Sequence, residues 1–183
     1  MYRSSSYFWS KILSETPMSF FVPFLVVTIT YFGIGFNDEL WYKYPQFLLA
    51  MCLIYNSFAA IGYIMGTAIA SKEVINILTP VVIVPTMLFT GFFVNQDNIP
   101  WYLTPFQYLS IFKYGYQSFF LIEFTDLKLD CMTSEDPALR CDPIGDFDSP
   151  ETLETSLWIM FSVMIVGFLL SFGILWKKSG DYE

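Results

Sequence analysis

The sequence has 183 residues, of which 55% are apolar, 20% aromatic and 14% charged. Soluble domains carry about 25% charged residues, so this chain is short of the charge that wets a surface. Histidine is absent, which removes the commonest metal ligand and the commonest general base, and the net charge of −8 offers no basic footprint for nucleic acid.

Residues 1–17 are polar and aromatic and lack the continuous apolar core of a secretory signal. Four segments then meet the standard for a membrane-crossing helix, about 20 apolar residues with few or no charges. They are 18–36, 44–71, 74–96 and 155–176. Core helices of soluble proteins keep a polar face, and these do not. The expected fold is therefore an all-α membrane protein with four transmembrane helices. The apolar stretch 98–122 differs, because it carries Lys113, two prolines, a glycine and many aromatics. Tyr and Trp prefer the headgroup level, so residues 97–125 are expected to form an outer re-entrant or interfacial helical hairpin. A fifth full span is the competing reading. Lys113 and Glu123 both need partners there. They meet if the hairpin folds back, or each reaches water separately.

Four crossings put both termini on one side. Arg3, Lys11, Lys72, Lys177 and Lys178 share that side, while Lys43, Lys128 and Arg140 lie opposite. By the positive-inside rule the termini are cytoplasmic and the 126–154 loop is extracellular or lumenal. Nine of the seventeen acidic residues fall in that loop. Cys131 and Cys141 bracket part of it on an oxidising side, where they form a disulfide or remain two thiols. Cys52 lies mid-membrane as a small packing residue.

Within the second segment, Gly62 and Gly66 line one helix face and permit close approach of a neighbour. A packing contact inside the domain and a dimer seam both fit. Asn56 and Ser57 are polar at depth and either line a path or make packing hydrogen bonds. In the third segment Pro80 and Pro85 kink the helix. Beyond Gly91, the pair Phe92 and Phe93 either closes an apolar constriction or faces lipid. Neither a phosphate-cradling G-x-x-x-x-G-K-[ST] loop nor a G-x-S-x-G, H-E-x-x-H or C-x-x-C motif occurs. Nothing in the chain reads as catalytic.

Two longer strings carry a resemblance. MYRSSSYFWSKILSETP is similar to the segment before the third membrane helix of the G subfamily of ABC transporters, the White and breast-cancer-resistance type. MLFTGFFVNQDNIPWYLTPFQYLSIFKYGYQSFFLIEF resembles that subfamily's fifth helix and outer hairpin, with its S-x-x-[KR]-Y-[GA] and [NI]-E-F elements. The resemblance implies that the four spans are the third to sixth helices of a six-helix ABC exporter membrane domain. It makes residues 2–14, with Tyr2, Arg3, Tyr7 and Lys11, a cytoplasmic coupling segment that touches the ATPase domain. It assigns Val84, Met87 and Leu88 to a substrate cavity and Phe92 and Phe93 to an exit gate, where a related exporter has a leucine pair. Cys131 and Cys141 resemble the family's outer-loop cysteines at a shorter spacing.

The family's ATPase domain, which binds ATP and Mg²⁺, precedes the membrane domain and is absent from this sequence, as are the first two helices. The implied partners are an ATP-binding cassette domain, a second half-transporter as homo- or heterodimer, and membrane lipid. The implied activity is ATP-driven export of lipid, sterol or hydrophobic compounds. The alternative is a non-transporting regulatory or assembly subunit of the membrane.

Overall fold

The computed structural model describes residues 4–35, 42–69, 71–88, 90, 108, 110–125 and 152–180. These form helices and turns, with no strand among the described residues. Five helices follow in order: α1 (Ser4–Ile34), α2 (Lys43–Ala68), α3 (Lys72–Leu88), α4 (Ile111–Phe124) and α5 (Leu153–Gly180).

Three of them hold stretches long and apolar enough to cross a membrane, at Phe8–Ile34, Lys43–Ala68 and Leu153–Lys178. Their outward faces are apolar: Ile29, Phe32, Trp158 and Leu169 are all exposed. In water such a continuous surface would drive association, whereas a bilayer solvates it. The expected third crossing is described as a helix only to Leu88. Its 17 residues rise about 26 Å, just short of a hydrocarbon core of about 30 Å. Residues 91–96 of that expected span lie outside the described residues. Likewise, of the expected hairpin only Tyr108 and residues 110–125 are described, the latter holding the single helix α4.

The segment expected to precede the first span is itself helical from Ser4 and runs without a break through Pro17 and Pro23. Each proline removes one backbone hydrogen bond, and the surrounding apolar run keeps the helix continuous. Gly35, at φ +73°, ends α1 in the left-handed region that glycine enters without penalty.

Helix α2 is the hub, packing on α5 most extensively and on α1 and α4 as well. The reason is a pair of matching stripes. Phe47, Ala50, Ser57 and Ala60 of α2 are buried, as are Ser156, Met160, Gly167 and Ser171 of α5. The steps of three, four and seven residues keep small side chains on one seam along both helices. A Cβ on Gly167 would lie 2.8 Å from the Cβ of Ala60, so only glycine fits there. Ser57 Oγ donates to the Met160 carbonyl at 3.1 Å across the same seam, which satisfies a buried hydroxyl.

One end of the bundle is closed by a cluster of Val27, Tyr31, Phe47, Ala50 and Ile122, with Phe119, Leu153 and Leu157 packed on it. The Thr28 and Tyr44 hydroxyls meet there at 2.9 Å. At the other end Phe8 sits 5.3 Å from Phe172 and 6.4 Å from Tyr63, ring to ring. Lys178 Nζ donates to the Thr67 carbonyl at 3.4 Å, a cation at a helix C-terminus.

Candidate functional site

Helix α3 stands apart from this packed body. None of its residues is buried, and its main contact among the described helices is α4. Between α2, α3 and α4 run two apolar cavities that meet at Phe112. The first, of about 340 Å³, is lined by Phe58, Ile61, Gly62 and Met65 of α2 and by Thr79, Val82, Ile83 and Thr86 of α3, among others. The second, of about 490 Å³, lies between Met51 and Ile54 of α2, Met87 of α3 and Gly115, Tyr116 and Phe119 of α4. Volumes of this order suit a small molecule, and the lining offers few polar groups. The α3 hydroxyls of Thr79 and Thr86 bond back to their own helix, at 2.7 Å to Ile75 and 2.8 Å to Ile83, so they present little polarity to the groove.

The three residues expected in a substrate cavity divide. Met87 lines the second cavity. Val84 and Leu88 fall on another face of α3, with Ile77 and Val81. These four are 72%, 62%, 52% and 46% exposed in the order Ile77, Val81, Val84, Leu88. That face is apolar, and no described helix covers it. Phe92 and Phe93 of the expected gate lie outside the described residues, as do Cys131, Cys141, Tyr2 and Arg3. Tyr7 lies within α1. Lys11 does touch the body of the protein: its Nζ stands 3.9 Å from Glu15 and 5.4 Å from the Tyr63 ring centroid, and the Tyr63 hydroxyl donates to Glu15. The start of α1, expected to be the coupling segment, is thereby tied to α2.

Among the described residues, Gly62 and Gly66 make no close contact. Both are exposed, and a Cβ on either meets nothing within 4 Å. Gly62 instead widens the first cavity. The tight approaches fall at Gly167 on α5 and Gly115 on α4, the latter with Ile54 Cδ1 at 2.8 Å from an added Cβ. Of the polar pair in α2, Ser57 makes the packing bond described above, and Asn56 Nδ2 donates to the Cys52 carbonyl at 2.8 Å.

Lys113 and Glu123 do not pair. They sit near opposite ends of one continuous helix, about 15 Å apart along its axis. Lys113 is buried with its Nζ 4.7 Å from the Tyr108 ring and 5.8 Å from the Tyr114 ring, a cation held by aromatic faces. At the other end the Glu123 carbonyl accepts from Lys43.

Sequence reasoning missed three residues. Lys43 was counted only as a loop charge, yet it is 1% exposed. Ser110 caps α4, and its signal was legible: a serine three residues before the amide it accepts from, opening an apolar run. Gly167 was hidden among other small residues, and only its steps of seven residues to Met160 and four to Ser171 mark it.

A polytopic helical bundle with an apolar groove open along one side is the class of protein that geometry defines. Comparison with known proteins then names the family. The ABC-2 type transporter family matches residues 1–124, and the chain belongs to it, alongside White and other G-subfamily members. It is 35% identical over 144 residues to the ABC transporter ATP-binding protein/permease wht-1 of Caenorhabditis elegans, covering 78% of this chain and 21% of that protein. It is 30% identical over 177 residues to Protein white of Ceratitis capitata, covering 93% of this chain and 26% of that one. It is 33% identical over 117 residues to the broad substrate specificity ATP-binding cassette transporter ABCG2 of Bos taurus, covering 63% and 18%. The chain thus spans about a fifth to a quarter of the length of these relatives, and the matched family region is the membrane domain, not the ATPase domain.

Proposed function

We propose that this chain is the later part of the membrane domain of an ATP-driven exporter half, moving apolar compounds from one side of a bilayer to the other. The observation that carries the reading is the groove. In a chain of the ABC-2 type transporter family, the helix α3 keeps two apolar faces uncommitted, one toward the cavities against α2 and α4 and one away from the bundle. A helix with two such faces lines a pathway on one and meets a partner or lipid on the other.

In this reading residues 91–96 complete a fourth crossing, and α4 with the residues before it forms an outer re-entrant element. Met87 contributes to the substrate cavity from one face of α3, and Val84 and Leu88 contribute across a second half-transporter. Phe92 and Phe93 close the exit. The α1 segment with Lys11 receives motion from an ATP-binding cassette domain, which holds ATP and Mg²⁺. Lipids, sterols and other hydrophobic compounds are the substrate class that an apolar groove with its hydroxyls turned inward favours. The name of the bovine relative, broad substrate specificity, is compatible with a lining that selects by apolarity more than by hydrogen bonding. The termini are cytoplasmic, and Cys131 pairs with Cys141 outside, which mass spectrometry of the non-reduced protein would detect as one linked peptide.

The test is ATP-dependent movement of a fluorescent apolar dye by the full-length gene product in proteoliposomes. Active ATP hydrolysis without any ATP-dependent dye movement, across a panel of apolar dyes and labelled lipids, would overturn the reading. Phe92→Ala with Phe93→Ala should raise ATP hydrolysis while transport falls; unchanged coupling would remove the gate.

A further inference from the structure

Helix α4 is fixed at each end by one buried polar side chain. At its start, Ser110 is fully buried; its Oγ accepts from the Lys113 amide at 3.3 Å and donates to the Thr86 carbonyl at 2.6 Å. Thr86 lies in the last turn of α3, where carbonyls have no partner within the helix. A single hydroxyl therefore caps the start of α4 and the end of α3 together. At the far end, Lys43 Nζ donates to the carbonyls of Glu123 and Thr125 at 2.9 and 2.8 Å. A lysine is favoured there by the helix dipole, and this one is the first residue of α2.

Between the two ends, three contacts hold α4 lengthwise and antiparallel against α2. Phe112 meets Phe58 at 4.6 Å, Gly115 receives Ile54, and Phe119 stacks on Phe47 at 5.4 Å. Helix α3, by contrast, has no buried residue and has α4 as its main neighbour among the described helices.

We propose that α4 is a strut that sets the position of α3 relative to α2, with Ser110 and Lys43 as its two positioning residues. A shift of α2 reaches α3 through α4, because α4 is gripped by α2 along its length and joined to α3 at its tip. Loosening either end lets α3 drift. Its consequence for transport, that the bundle drives the cavity-lining helix through this strut, rests on the exporter reading; the mechanical claim does not.

The discriminating feature is that Lys43 acts on α3 without touching it. The bonds it makes lie about 20 Å along α4 from the Ser110 joint. If Lys43 merely caps a helix end, removing it disturbs residues 121–125 alone. Spin labels placed at Ile77 of α3 and Leu49 of α2, both exposed, read the α3–α2 distance by pulsed electron resonance. The protein is the full-length gene product in lipid nanodiscs, diluted with unlabelled copies, in a Cys52→Ser background. A second pair, Leu49 with Leu169 of α5, reads the main seam.

Ser110→Ala and Lys43→Met should each broaden the α3–α2 distribution at least twofold and leave the α2–α5 distribution narrow. Lys43→Arg, which keeps a cationic donor, should broaden neither. An unbroadened α3–α2 distribution in Lys43→Met would overturn the strut, and so would equal broadening of both pairs. Because no readout requires ATP or substrate, a protein that shows these shifts but fails to move dye refutes the exporter reading and not the strut.

Discussion

Helices α5 and α3 are both apolar and carry charge only at their ends, yet the molecule uses them differently. In α5 the small residues recur at heptad spacing, so one stripe lies flat on α2 while Trp158, Leu169 and Trp176 face outward. In α3 the bulky residues surround the axis and two prolines interrupt the backbone ladder, so no stripe is narrow enough for a close seam. The lesson concerns helices in lipid. Apolarity decides that a helix enters the membrane, but it provides no force between helices, since the lipid is as apolar as the neighbour. Close packing of small residues and a few polar bonds decide which helices hold together. By that rule α1, α2, α4 and α5 form one packed body, and α3 is attached to it through a joint.

The comparison breaks most visibly at the glycines. Gly167→Val forces atoms into Ala60 and should destabilise the protein by about 3 kcal/mol, at the upper end of overpacking costs. Gly66→Val, on the open face of α2, should change stability by less than about 0.5 kcal/mol. Thermal unfolding in detergent measures both, and equal losses would dissolve the distinction between seam and groove. The next effect is polar. Ser57→Ala removes a bond across the α2–α5 seam and should cost about 1 kcal/mol, whereas Thr79→Val, whose hydroxyl bonds only within α3, should cost about half a kcal/mol or less. The same unfolding assay ranks the pair, and a reversed order would contradict it.

The smallest effect on stability should come from the outward face of α3. Val84→Ala and Leu88→Ala, each on an uncovered surface, should leave the unfolding midpoint within error. In the dye-export assay they should alter which apolar dyes are moved. Unfolding losses above about 2 kcal/mol, the range of buried leucine truncation, would mean that this face is already covered inside the chain.

Much of the fold was legible because membrane solvation writes itself in long charge-free runs. The second and last spans were placed within a few residues of their helices for that reason, as was the end of the first. The beginning of α1 was less legible, since polar residues 4–17 carry no apolar run to mark them as part of the same helix. The sequence left open whether Lys113 and Glu123 meet, and an unbroken α4 holds them apart. The roles of Gly62 and Gly167 were also not separable in sequence. Each is a small residue in an apolar helix, and only the partner's shape determines which one is approached. The resemblance pointed to Met87, which lines an apolar cavity between α2, α3 and α4, while Lys43 and Ser110 required knowing that two helix ends from distant segments meet.

Amide hydrogen exchange in lipid nanodiscs tests the division into packed body and jointed helix most directly. Local opening is easiest where buried contacts are few, so amides at 75–86 of α3 should exchange at least tenfold faster than those at 50–60 of α2. Equal protection of the two stretches would contradict the account.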